Sequence, residues 1–316
     1  MARQILKRFA GLRAGERVLI LAETEADDRV KTAFHRAARE LAGADVALVT
    51  YDRRPPYTHP PEPVPHAVMA ADLVVALDIY LSHTRLEKAA RAAGARFLNL
   101  HPADFAALRR AVLGVDHTLI RQRARKLARI FGASRQGLIT CRSGSKLSFD
   151  IDGSRNATTG DGVVVERGGY ATLPTGKIKV PVVRTTLNGV FVVNGVIIPP
   201  INELTGTVTL RFKRGRVVEI AGGRDARAYA RFLASFDEPS MYAFDHLTFG
   251  FNPKASLRQP PAPRFSSEAE KVMGSINIGL GSAGLRGKQH TDVVSVGCTV
   301  ALDGKPIIAA GRYTTW

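Results

Sequence analysis

Residues 17–50 read RVLILAETEADDRVKTAFHRAARELAGADVALVT. Arg17–Ala22 is a short apolar run and Asp45–Thr50 is a second. Between them, Asp27–Leu41 sets Val30, Phe34, Ala38 and Leu41 on one face at helical spacing. Strand, helix and strand within this length predict a parallel pair joined by a helical crossover. The pattern repeats downstream: Ala71–Ile79 reads as a third strand, Arg85–Ala93 as a helix and Arg96–Leu100 as a fourth strand. Pro55–Pro65 is proline-rich and reads as a loop. Upstream, the basic N-terminus reads as a helix running into the first strand. The first part is therefore expected to be a Rossmann-like parallel sheet with helices on both faces. A dinucleotide site would need GxGxxG after the first strand. The residues there are AETEADD, acidic and free of glycine, so that site is absent.

From about Gly137 the pattern changes to short strands parted by Gly, Asn and Pro turns. Gly137–Cys141, Lys146–Ile151, Lys177–Val183, Gly189–Val196, Gly206–Phe212 and Arg216–Ala221 fit this description, the last two as a hairpin turning at Arg214–Gly215. A helix, Asp225–Phe236, follows, then histidine-bearing segments and a C-terminal pair, Asp292–Leu302 and Pro306–Tyr313. The expected fold class is α/β, divided into a Rossmann-like domain over 1–135 and a β-rich α+β domain over 136–316.

A chain of 316 residues is long enough for two cores, and 45% hydrophobic with 23% charged residues is a globular composition. No apolar run reaches the roughly 18 residues that cross a bilayer, and the N-terminus lacks the apolar stretch of a signal peptide. A cytoplasmic protein without a membrane partner is expected. Cys141 and Cys298 lie far apart in sequence, which gives no disulfide framework and no zinc–thiolate motif. The net charge of +17 is dispersed, with one concentration over 109–135. There Leu119, Ile120, Leu127, Ile130 and Phe131 form an apolar stripe at helical spacing, so the arginines read as a solvated face. With no helix-turn-helix, zinc finger or aromatic RNA-binding pattern beside it, no nucleic-acid partner is expected.

The chemistry concentrates in HTD, residues 290–292. In a strand His290 and Asp292 point to the same face, because side chains alternate with period two. The preceding GLGSAGLRGKQ lets the backbone fold closely around a site. His246, in DHLTFGFNPKA, is a second imidazole in a largely apolar, turn-rich segment, where burial demands a partner. Two histidines and one carboxylate form the facial triad of non-haem Fe(II) enzymes, which leaves positions open for substrate and O2. A hydrogen-bonded core histidine is the alternative for His246. The chain offers no GxSxG nucleophile elbow.

Five segments in order resemble the superfamily that joins aminopeptidase T-like metallopeptidases to 2,5-dihydroxypyridine 5,6-dioxygenase. They are LPTGKIKVP (173–181), TVTLRFKRGRVVEIAGG (207–223), DHLTFGFNPKA (245–255), GLGSAGLRGKQHTD (279–292) and DGKPIIAAG (303–311), with a looser match at ADLVVALDIYLSHTRLEKA (71–89). HLTFGFNPKA resembles the dioxygenase pattern HIGWGLxPxA, whose histidine is an iron ligand, and HTD resembles its HLD. The resemblance implies an aminopeptidase T-like metal-binding second domain, with metal ligands His246, His290 and Asp292. It also implies Fe(II), a hydroxylated aromatic or N-heterocyclic substrate, O2 and a homo-oligomer.

His83, in YLSHTRL, resembles an active-site histidine of the dioxygenase. It is the candidate catalytic residue, a proton relay with an unperturbed pKa near roughly 6.5. The peptidase branch instead implies a two-metal centre with Zn, Co or Mn. Where that branch carries a glutamate and a histidine, this chain has Lys177 and Asn277. A lysine ammonium cannot ligate a cation, so one metal is expected, and a peptidase with a degenerate centre or a non-catalytic relative is the alternative. Thr172 stands where the dioxygenase has a histidine before its PSG, a departure that bears on substrate identity.

Overall fold

A computed structural model describes residues 1–52, 60–77, 84–101, 104–260, 264–281 and 289–316. The chain divides into two compact units, residues 1–115 with 160–175, and residues 116–159 with 176–316.

The first unit is built on a five-stranded parallel sheet. Its order is Val46–Tyr51, Val18–Glu23, Leu73–Ala76, Arg96–Leu100 and Tyr170–Leu173. Its central strands are buried on both faces, as their unbroken apolar runs require. Val18, Ile20 and Ala22 pack with Phe9 of the helix Ala2–Ala10 and with Phe34 and Ala38 of the helix Asp28–Ala42. Leu19 and Leu21 turn the other way, toward Val64, Val68 and Ala90 of the helices Pro63–Ala70 and Arg85–Ala92. Helices thus cover both faces, as the periodicity predicts. The Asp27 side chain caps the long helix by accepting from Arg29 N–H.

Two details differ from the sequence reading. The fifth strand, Tyr170–Leu173, has no sequence signature, because four residues flanked by glycines and proline carry no readable alternation. Of the proline-rich stretch read as a loop, residues 55–59 lie outside the described ones, and Pro63 already opens a helix, where its missing N–H costs nothing.

The second unit holds two antiparallel sheets. The eight-stranded one runs Arg216–Gly222, Val208–Lys213, Asn188–Val193, Lys146–Asp150, Gln136–Thr140, Thr299–Leu302, Lys305–Ala309 and Arg312–Tyr313. The seven-stranded one runs Asn202–Glu203, Val196–Ile198, His290–Ser295, Ile276–Gly281, Phe244–Gly250, Lys177–Val180 and Thr158–Thr159. The expected hairpin at Arg214–Gly215 is present.

The basic stretch is two elements: a wide helical turn, Leu108–Leu113, and a helix, His117–Ala133, whose N-cap Asp116 accepts from Thr118 and Leu119. Ile120, Leu127 and Phe131 are buried as expected, while Leu119 is exposed. Phe131 stacks on Phe249 at 5.1 Å, which places this helix with the second unit. The division read at residue 135 therefore differs from the contact pattern: 116–135 joins the second unit and 160–175 returns to the first.

Asp292–Leu302 is not one strand. It ends at Ser295, turns through Gly297 at φ 72°, and re-enters as Thr299–Leu302 in the other sheet. That turn also joins the two cysteines, which the sequence sets far apart. Thr299 pairs with Thr140, so Cys298 falls opposite Cys141. Both are free thiols, and both donate to Val296 O, at 3.9 and 3.8 Å.

Candidate metal centre

Three adjacent strands of the seven-stranded sheet build the site. His290 and Asp292 project from the same face of His290–Ser295, as the two-residue period requires. In register, Gly281 faces His290 and Gly279 faces Asp292. On the other side Gly279 faces His246. One row across the sheet is therefore His246, Gly279, Asp292.

The pairing slips next to His246. Phe244 lies opposite Leu280 and His246 opposite Gly279, so Asp245 is the extra residue of a β-bulge. A bulge lets neighbours in sequence share a face. Asp245 Oδ2 and His246 Nδ1 meet at 2.9 Å, an approach that a regular strand would prevent.

Gly279 makes the rest possible. A Cβ there would lie 2.4 Å from His246 Cε1 and 2.7 Å from His290 Cε1. With hydrogen in its place, the two imidazoles close over the central strand and stack, centroids 5.1 Å apart and planes 22° from parallel.

The stacked rings lie between two carboxylates. At one end, His246 Nε2 is 3.3 Å from Asp292 Oδ1 and His290 Nε2 is 3.3 Å from Asp292 Oδ2. At the other, His246 Nδ1 and His290 Nδ1 are 2.9 and 4.0 Å from Asp245 Oδ2. The second oxygen of Asp245 is engaged by the Arg184 guanidinium at 3.4 Å. Asn277, two residues before Gly279, donates from Nδ2 to Asp292 Oδ1 at 2.8 Å and lies 3.3 Å from His246 Nε2. Its buried Oδ1 has no hydrogen-bond partner among the described residues. Glu270, buried in the short turn Ser267–Lys271, also approaches: a carboxylate oxygen of Glu270, a nitrogen of His246 and an oxygen of Asp292 lie within 4.8 Å of one another.

Burial alone would raise the Asp292 carboxyl, but the imidazoles of His290 and His246 hold it well below the usual range. For Asp245 burial is likewise outweighed by the bond to His246 and the nearby positive charge, which bring it to about 2. Burial disfavours a charged His246, yet the bonds to Asp245 and Asp292 raise its pKa on balance. Two anions thus flank the paired rings, and a divalent cation can replace the proton that they favour on His246.

The donor set fits such an ion. Donors about 2.1 Å from one cation stand about 3.0–3.4 Å apart, which matches both 3.3 Å approaches to Asp292. Two imidazoles, one carboxylate and no thiolate suit a first-row metal of borderline hardness. Donors converge within 4.8 Å at both ends, Asp245 with His246 and His290 at one and His246 with Asp292 and Glu270 at the other, and at the Nε2 end Asp292 sets one oxygen toward each ring. At the Nδ1 end, the bond from His246 to Asp245 fixes the ring angle, as a carboxylate behind a ligating histidine would.

The structure thus brings together the three residues singled out as metal ligands. The fourth candidate, His83, lies outside the described residues. Thr172 sits in the first unit, its hydroxyl donating to Tyr170 Oη at 3.1 Å. Asp245, Gly279 and Glu270 escaped the sequence reading. Asp245 precedes His246, and in an unbulged strand that adjacency would send them to opposite faces. Gly279 was legible only as one glycine in a glycine-rich approach, and nothing in SSEAEKV marks Glu270.

Among the described residues no helix is long and apolar enough to cross a membrane. A curated relative, the 2,5-dihydroxypyridine 5,6-dioxygenase of Pseudomonas putida KT2440, is 24% identical over 263 residues, covering 78% of this chain and 71% of that protein. The solved structure of the 2,5-dihydroxypyridine dioxygenase from the same strain superposes with a TM-score of 0.81 at 21% identity, covering 100% of this chain and 97% of the other. AmpT from Thermus thermophilus shares the fold at a TM-score of 0.66 and 15% identity, covering 99% and 98%. The fold is therefore the mixed α/β architecture of both. The profile of the 2,5-dihydroxypyridine 5,6-dioxygenase family matches residues 2–315, almost end to end, and the chain belongs to that family.

Proposed function

We propose that the chain is a mononuclear ring-cleaving dioxygenase acting on 2,5-dihydroxypyridine or a related hydroxylated aromatic, with His246, His290 and Asp292 holding one Fe(II). The observation that carries this reading is the pair of stacked imidazoles set against Asp292, with Asp245 behind them, in a member of this family. Bound there, Fe(II) would offer open positions to the substrate hydroxyl and O2, acidify that hydroxyl and carry electrons between them.

The side chains prepare the seat. Asp245 accepts from His246 Nδ1–H, which leaves the Nε2 lone pair for a metal seated beside Asp292. Asn277 steadies Asp292 Oδ1 and so fixes which oxygen each ring meets. His83 takes the substrate hydroxyl proton in this proposal. Cleavage of the C5–C6 bond of 2,5-dihydroxypyridine then places both atoms of O2 in the open-chain product, N-formylmaleamate. In this proposal the protein is a cytoplasmic homo-oligomer, and light scattering checks its assembly.

The test is anaerobic reconstitution with Fe(II), followed by O2 uptake against a panel of hydroxypyridines, hydroxylated phenols and dipeptides. Uptake with a hydroxypyridine that disappears in His290→Ala supports the reading. Dipeptide cleavage with Zn, Co or Mn and no O2 uptake overturns it.

A further inference from the structure

Glu270 poses a question of coordination number. One of its oxygens converges with a His246 nitrogen and an Asp292 oxygen within 4.8 Å, close enough to make it a fourth protein ligand. Four protein donors close a tetrahedral site outright, and take from a six-coordinate ion a position that an incoming ligand needs. A buried carboxylate is also a strong lure for a cation, since burial without a partner is costly.

Both of its oxygens are occupied instead. Lys177 Nζ pairs with Glu270 Oε2, and Lys271 Nζ lies 3.5 Å from Oε1. Lys271 is itself moored to Ser267, donating to its carbonyl at 2.6 Å and its hydroxyl at 2.8 Å. Lys177 reaches the site through sheet register. Thr248 pairs with Lys179 and Gly250 with Lys177, so Lys177 shares the face that carries His246. Glu270 thus stands between two ammoniums, with Asp292 close by. Removal of one ammonium leaves an excess buried anion beside the metal seat, and a divalent ion would then be its best partner.

We propose that Lys177 is a positioning residue that holds Glu270 out of the metal's coordination shell, so that the centre keeps three protein ligands. The proposal rests on the metal-centre reading above. It assigns to the ammonium a role distinct from catalysis: it sets how many coordination positions stay open.

The test uses the full-length protein without substrate or O2. Co(II) and Zn(II) affinities are measured by competition with a chromophoric chelator, and the visible spectrum of the Co(II) form is recorded. Lys177→Met is expected to bind either ion about tenfold more tightly or better, with a Co(II) spectrum altered by the added carboxylate. Lys177→Arg, which keeps the charge, retains wild-type affinity and spectrum. Adding Glu270→Gln to Lys177→Met restores both. Glu270→Gln alone leaves affinity within about twofold of wild type, since the carboxylate is not a ligand there.

Unchanged or weaker binding in Lys177→Met overturns the proposal, as does a large loss of affinity in Glu270→Gln alone. Should Lys177→Met not fold, the Glu270→Gln measurement still decides whether Glu270 is a ligand in the wild type. A wild-type protein that binds neither ion overturns the metal-centre reading itself, an outcome distinct from any change confined to the variants.

Discussion

Gly279 carries the tightest steric demand on the imidazole pair, although it has no functional group. Its Cα hydrogen faces the edges of two rings, and a methyl there would lie 2.4 Å from one and 2.7 Å from the other. Gly279→Ala is expected to push the rings apart, lower metal affinity by at least about tenfold, and destabilise the protein by about 1–3 kcal/mol. Isothermal titration and thermal melts check the two effects; native affinity in the variant would show that the rings tolerate separation. Asp245→Asn keeps the shape behind His246 but loses the negative charge. Affinity should fall about 10- to 100-fold while the melting temperature of the metal-free protein moves little. The three candidate ligands were legible at this scale and the residues around them were not. HTD states its own geometry once it is a strand, whereas Asp245 and Gly279 acquire meaning only from which residues lie opposite them.

At the scale of elements, strands with a clear two-residue alternation, such as Val208–Lys213, were readable. The unbroken apolar runs of the parallel sheet were readable too, but a buried strand broken by glycines was not. Ile276–Gly281 is buried at every position and contains two glycines, so no alternation marks it, yet it is the strand that lies between the candidate ligands. The break after Ser295 was hidden because apolar residues continue through it. In the first unit, the entries of two parallel strands are tied by Arg17 and Asp72. Arg17 N–H donates to Asp72 Oδ2 at 2.9 Å, and its guanidinium meets Oδ1 at 2.7 Å. The Arg17 side-chain bond brings the Asp72 carboxyl down to about 2, against the opposing effect of burial. A carboxyl depressed in the folded state stabilises above its unfolded value near roughly 3.9, and that contribution is lost as pH falls toward 2. Both side chains are substantially exposed, so the effect is small. Asp72→Asn should cost about 0.5–1 kcal/mol at pH 7, with the gap closing as acid unfolding is followed toward about pH 2. A gap that persists undiminished in acid would assign the loss to something other than this pair.

For the whole molecule, the change from alternating strands and helices to short strands gave both the α/β class and the existence of two units. What it could not give is that the units interleave along the chain, with 160–175 returning to the first sheet after the second unit has begun. A return of that kind depends on pairing between Tyr170–Leu173 and Arg96–Leu100, which are distant in sequence. Metal binding should register on global stability. A ligand bound only by the folded state adds about 2.7 kcal/mol at a free concentration 100 times its Kd. Calorimetry should therefore show a rise in the melting temperature of the second unit's transition with added metal, reversed by chelator and absent in His290→Ala. An equal rise in that variant would place the ion elsewhere.

His246 reaches Asp292 only across the Ile276–Gly281 strand, which is paired with both of theirs. A nascent chain on the ribosome consequently offers a lone imidazole until residues beyond 292 have emerged and three strands have zipped together. If the middle strand slipped by one residue, Ile278 or Leu280 would stand beneath the rings in place of Gly279, and the faces of the sheet would be exchanged. Only the correctly aligned sheet brings the three candidate donors together. Capture of an ion would withdraw that alignment from the competing ones, so the cofactor proposed for chemistry would also proofread the sheet that holds it.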